Sequence, residues 1–360
     1  MRTGYANLPL HRGHAPRWLF EKMKELSSGI VQIIIDEFGR DEFLRRLSDP
    51  FWFQAFSCAI GFDWHSSGTT TVTCGVLKES VGEELGIAVV GGKGKASRKV
   101  PEEIESLGEK LSLSTRKIEK LKYSSKMVAK VDNTALQDGY NLYHHTFVFT
   151  EDGKWCVIQQ GLNPENKYAR RYHWLSEKVK SFVNDPHAAI CCDSKGRTLN
   201  MVAKESEETR KASLDLVRDN PLRLKKYLTG QSTLLDYGFT MPRGHLIDLK
   251  NFKPLMDAYE FQPKNYEELL SIKGIGPKTI RALALLSDLI YGAKPSWKDP
   301  VKYSFAHGGK DGTPYPVDRN LMEKSIEILK VGIEEARIGN KEKLNALRRL
   351  KDFLPRDLDK

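Results

Sequence analysis

The sequence predicts an α+β protein. It divides into a mixed α+β domain with a small antiparallel sheet over residues 1–200 and an all-helical domain over 201–360. Two observations lead there. Stretches with strand character cluster before residue 200 and nearly vanish after it. Beyond it, apolar residues recur at helical spacing, most clearly around a glycine turn in NYEELLSIKGIGPKTIRALALLSDLIYG, 265–292. A chain of 360 residues is long enough for two domains with their own cores.

Composition narrows the function. A hydrophobic content of 40% with 29% charged residues is that of a globular protein. The net charge of +10 suits a polyanionic partner. No apolar run approaches transmembrane length, and MRTGYANLPLHRGHAPRW at the start has no apolar core of a secretory signal. Five cysteines without a C-x-x-C pair argue against a zinc ribbon or an iron–sulfur loop. Reduced thiols and a cytoplasmic location are expected, with no membrane partner.

Taken in order, Pro16 opens a helix lined by Leu19, Phe20, Met23, Leu26 and Ile30, and Asp41 caps a short one through Leu47. FWFQAF at 51–56 is an aromatic helix suited to a core. TTTVTCGVL at 69–77 is β-branched and predicts a strand, with a second over 86–90. That strand runs into GGKGKASRK, 91–99, a basic glycine-rich loop without the Walker spacing. It reads either as a flexible loop or as a DNA-backbone contact through Lys93, Lys95 and Arg98. Helices follow over 101–111 and 114–121. Strands over 141–150 and 154–160 form a hairpin around Glu151, Asp152 and Gly153. YARRYHWLSEKVKSFV, 168–183, predicts a helix. Its Arg170 and Arg171, interleaved with aromatics, suit DNA contacts or a solvated basic face. A strand over 187–192, helices over 205–218 and 222–228 and a turn-rich joint at 238–244 complete the approach to the glycine turn. An irregular basic piece spans 293–319, and charged amphipathic helices over 321–338 and 341–354 close the chain.

The glycine turn carries the clearest chemistry. Asn265 with Glu268 forms a capping box, and Gly274 supplies the left-handed residue that ends the first helix. Pro277 fits the first turn of the second helix, where its missing N–H is not needed. The N–H groups at that helix start, with the dipole behind them, bind an anionic oxygen. Gly274, Ile275, Gly276, Lys278 and Thr279 are therefore the expected DNA-phosphate contacts, with Lys278 adding a point charge.

The segment LSIKGIGPKT resembles the helix-hairpin-helix motif of DNA repair and recombination proteins. Tyr291-Gly292 and Pro316-Val317-Asp318 look like further parts of the helix-hairpin-helix DNA glycosylases, over residues 210–335. Lys278 stands at the position of the lysine that lyase members use as nucleophile, and Asp318 at that of their catalytic aspartate. The chain departs from the pattern in an insertion over 293–315, and Arg319 and Asn320 stand where a histidine commonly follows the aspartate. The resemblance implies base excision. A carboxylate stabilises positive charge on the sugar, and an amine attacks C1′ as a Schiff-base nucleophile. The plainer roles are a phosphate contact for Lys278 and a helix N-cap for Asp318. Lyase chemistry needs no cofactor, and the hairpin is also an expected seat for a monovalent cation.

A second polar cluster lies in the first half. Asp63 and His65 fall in GFDWHSSG, Asp138 in QDGY, and His144 and His145 begin the hairpin. At strand ends these either bind a divalent metal for phosphodiester hydrolysis or satisfy one another. Over nearly its full length the chain also resembles an archaeal and bacterial family known as a domain of unknown function. That resemblance rests on LSDPFWFQAF, GFDWHSSG, GGKGKASRK, QDGYNLYHH, ARRYHWLSE and AHGGKDGTPYPVD. The expectation is a DNA-processing or repair protein, a glycosylase or abasic-site lyase. The alternatives are a metal-dependent DNA nuclease with an N-terminal site and a non-enzymatic binder of DNA structure.

Overall fold

A computed structural model describes residues 16–62, 67–192, 196–224, 249, 251–301, 319–336 and 338–353. The chain starts with α1, Arg17–Leu47, which breaks at Gly39 (φ +82°). The expected pair of helices is thus one run with a kink that only glycine takes without strain. In α2, Pro50–Ile60, Asp49 accepts the Trp52 N–H at 2.9 Å and Pro50 fills the first turn. Every residue of α2 is buried, which fits its aromatic composition.

The strand expected over 69–77 is instead α3, Ser67–Ser80. Ser67, Thr69, Thr70, Thr73, Cys74, Val76 and Leu77 are its buried residues, at helical spacing. Its hydroxyls explain why the β-branched bias loses. Thr73 bonds Ser57 at 2.9 Å and Thr70 bonds Gln160 at 2.5 Å, so each threonine ties the helix to a neighbour. Tertiary hydrogen bonding outweighs a propensity difference of about 0.5 kcal/mol per residue.

Strand β1, Ile87–Lys93, leads through a tight turn at Gly94–Lys99 into α4, Val100–Lys110. Next is α5, Thr115–Lys130, capped by Ser114 and closed by a wide π-type turn at Val131–Ala135. A two-residue strand β2, Leu136–Gln137, precedes the hairpin of β3, Asn141–Thr150, and β4, Trp155–Leu162. The hairpin pairs Phe149 with Trp155, as its turn signal predicts.

The helix expected over 168–183 is instead β5, Ala169–Leu175. Both faces of this strand are buried, so it shows no polar–apolar alternation, and its basic residues hide the period of two. Tyr172 and Trp174 enter one core, while Leu175 enters the other. Strand β6, Ala189–Cys191, completes an antiparallel sheet in the order β1-β3-β4-β5-β6. A short β7, Leu199–Asn200, pairs with β2.

Helices α6, Glu207–Arg218, α7, Lys253–Phe261, α8, Tyr266–Ser271, and α9, Pro277–Tyr291, follow. They are succeeded by α10, Arg319–Glu335, and α11, Asn340–Phe353. The sheet separates two cores. Ala88, Val90, Phe147, Trp155, Tyr172 and Trp174 pack with α4 to α9, whereas Ile87, Val89, Val148, Ile158 and Leu175 pack with α1, α2, α3, α10 and α11. Neither core divides the chain at residue 200. Among the described residues no helix is long and apolar enough to cross a membrane.

Candidate nucleic-acid interface

Local sequence shapes the turn between α8 and α9. Asn265 accepts the Glu268 N–H at 2.9 Å, and the Glu268 carboxylate accepts the Lys264 N–H at 2.7 Å. Gly274 takes φ +91°, and a Cβ there would lie 3.1 Å from Pro254. Gly276 is the extended N-cap of α9 with no side-chain cap, and Pro277 begins the helix. Ile275 is 1% exposed and anchors the turn in the core, and Thr279 is buried below it. Lys273, Gly274, Pro277 and Lys278 are exposed. Of the expected phosphate contacts, Gly274, Gly276 and Lys278 thus reach the surface, while Ile275 and Thr279 support them.

The turn is held from the first half of the chain. On α5, the Lys126 ammonium donates to the Ser271 carbonyl at 2.9 Å and the Lys130 ammonium to the Ile275 carbonyl at 2.7 Å. Gln137 donates to the Pro277 carbonyl at 2.8 Å and accepts from Arg281 at 2.8 Å. Burial, and then the neighbouring Lys126, lower the Lys130 pKa. Five cationic side chains, Lys126, Lys130, Lys273, Lys278 and Arg281, surround or flank the turn.

Behind α5 lies a buried polar network. Asp132, in the π-type turn, accepts from Gln159 at 2.5 Å, from Trp174 at 2.9 Å and from His187 at 2.5 Å. The Gln159 carbonyl accepts from His145 Nδ1 at 2.6 Å, which leaves His145 Nε2 to accept from the Ser125 hydroxyl at 2.9 Å. Burial holds His145 below the usual histidine range, consistent with a neutral ring. The network locks α5, and with it Lys126 and Lys130, to the sheet. Ser125, Gln159, Trp174 and His187 have no spacing signal that would join them; only the fold does.

The remaining candidates are dispersed. Lys93, Lys95 and Arg98 are exposed at the end of β1, with Lys93 over the Tyr143 ring at 6.0 Å. Arg170 and Arg171, expected at a DNA surface, are 1% and 0% exposed. Arg170 binds Asp138 at 2.9 Å and Asp299 at 2.8 Å, and Tyr172 donates to Asp138 at 2.7 Å. Burial raises the Asp138 carboxyl, against the pull of the Arg170 charge. Arg171 donates to His173 at 2.9 Å and lies over the Phe53 ring. These guanidiniums face internal partners because β5 is a central strand rather than a surface helix.

His144 and His145 are consecutive strand residues and point to opposite faces of the sheet. His144 bonds Thr146 at 2.9 Å on one face, and His145 meets Ser125 of α5 on the other. They therefore do not converge on one ion, and among the described residues no group of three acidic, histidine or cysteine side chains is placed to hold a metal. Asp63, His65 and Asp318 lie outside the described residues.

A family model described as "Protein of unknown function (DUF763)" matches residues 4–317. The chain belongs to that family. No curated protein and no solved structure matches it.

Proposed function

We propose that this DUF763 member is a cytoplasmic DNA-processing protein of base-excision repair. It grips the phosphodiester backbone at the start of α9 and acts on abasic sites through Lys278. One arrangement carries the reading: exposed Gly274 and Lys278 beside a helix start without a side-chain cap, with Lys126, Lys130 and Lys273 around them. The first N–H groups of a helix have no intrahelical acceptor, and with the dipole behind them they favour an oxyanion. Glycine at 274 and 276 lets the phosphate approach the backbone. The resemblance to helix-hairpin-helix glycosylases supports the same assignment.

On an abasic site the ring-opened sugar offers an aldehyde at C1′. The Lys278 amine adds its lone pair to that carbon, and loss of water leaves a Schiff base. Removal of a C2′ proton then shifts an electron pair toward C2′–C3′, and the 3′ phosphate departs with the C3′–O bond. For a base still attached, the resemblance assigns Asp318 to stabilise the charge that develops on the sugar. Borohydride reduction should trap the wild-type chain on abasic duplex, with EDTA present, and Lys278→Ala should abolish trapping while leaving salt-sensitive DNA binding. Equal trapping by the variant, or none by either chain, would sink the lyase assignment. A non-enzymatic grip on DNA is the second reading, favoured by how firmly Lys126, Lys130 and Gln137 hold the turn. DNA binding without trapping would select it.

A further inference from the structure

A phosphate approaching the start of α9 also meets the carbonyls of the turn before it. Their oxygens carry partial negative charge and repel an anion unless a cation covers them. In this chain the cover comes from α5. Lys126 and Lys130 lie four residues apart on one helix face, and their acceptors Ser271 and Ile275 lie four residues apart on the turn. The match puts each ammonium on its own carbonyl. Among the described residues neither lysine forms an ion pair, so neither charge is cancelled by a carboxylate there. The two like charges repel across one helical turn, and a bound phosphate would relieve that repulsion. Nor is α5 free to drift, because Asp132 lies two residues beyond Lys130 and is held by Gln159, Trp174 and His187.

We infer that the Lys130 ammonium, backed by Lys126, occupies the place of a small monovalent cation on the turn, so that this protein captures a DNA phosphate without an added metal ion. Lys130 is thus a positioning residue: it holds the turn carbonyl and supplies the compensating charge. This rests on the reading of the turn as the phosphate grip. A cation expected at the hairpin would find the Ile275 oxygen already engaged at 2.7 Å by an ammonium.

The test measures binding of a fluorescent duplex containing a tetrahydrofuran abasic analogue, in potassium chloride and in tetramethylammonium chloride of equal ionic strength. The wild type should bind equally in both. Lys130→Met removes the charge and bares the carbonyl, so it should bind about tenfold more weakly in tetramethylammonium and recover in potassium, which a bared carbonyl can coordinate. Lys130→Arg keeps a donor and a charge and should behave as the wild type. A wild type that needs potassium, a Lys130→Met chain that binds normally in both salts, or a loss that potassium does not restore would each overturn the inference. The wild-type comparison needs no substitution and stands even where Lys130→Met fails to fold. Absence of wild-type binding in either salt would sink the phosphate grip itself, an outcome distinct from wild-type binding that Lys130→Met leaves unmoved.

Discussion

His144 is buried with its Nε2 bonded to Thr146, and burial, helped by His145 and Lys93, pushes its pKa down to about 3. Burial and the adjacent Arg171 also hold His173 well below the histidine range. Its Nδ1 donates to the Leu47 carbonyl and its Nε2 accepts from Arg171, so an added proton has no place there. In each case the folded pKa lies below the unfolded value of 6.5. The unfolded chain therefore binds more protons below pH 6.5, and stability falls as pH falls. Each such histidine removes about 1.4 kcal/mol per pH unit within its window. Urea unfolding should show stability dropping from pH 6.5 downward, and His144→Asn should make the slope shallower. A flat profile between pH 7 and 5 would contradict the neutral buried histidines. A histidine pair at a strand start is visible in the sequence, but that His144 and His145 are both buried, with different partners, follows from what packs on each face of the sheet.

Strand β5 ties distant elements together through Arg170. Its guanidinium joins Asp138, just after β2, to Asp299, beyond α9, and Asp299 also accepts the backbone N–H groups of Gly196 and Val301. All three side chains are almost wholly buried. Arg170→Met leaves two carboxylates without their cation and should cost about 3–5 kcal/mol of unfolding free energy in guanidinium titrations. Arg170→Lys should also lose stability, because an ammonium cannot bridge both carboxylates in the planar fork. A loss below about 0.5 kcal/mol would mean that the cluster does not hold these elements. The sequence shows β5 poorly for the same reason. Buried arginines paired at long range look like a basic surface, whereas the β3–β4 hairpin is plain because its turn and strands carry local signals. In α3 the misleading element is threonine, whose hydroxyls meet partners on α2 and β4 that no window of sequence contains.

Across the whole molecule, the last helices return to the first. Ile326, Ile328, Leu329, Ile333 and Leu350 are buried in the core built by α1, α2 and α3. Arg349 donates to the Cys58 and Ala59 carbonyls at the end of α2. Each of those aliphatic side chains contributes about 1.5–3 kcal/mol by burial, so together they approach the whole stability of a domain. A chain ending at residue 318 should express as aggregate or melt far below the full chain. Equal melting temperatures would show that the closing helices are dispensable. The two helices and glycine turn over 265–292, with their caps, glycines and lysine, were set by local chemistry, as were the aromatic α2 and the β3–β4 hairpin, since propensity, capping and turn preferences act within a few residues. Tertiary structure alone decided which charges are buried, which carbonyls of the turn are covered and which helices share a core. Those outcomes depend on contacts between residues more than a hundred positions apart, such as Lys130 with Ile275 and Arg170 with Asp299.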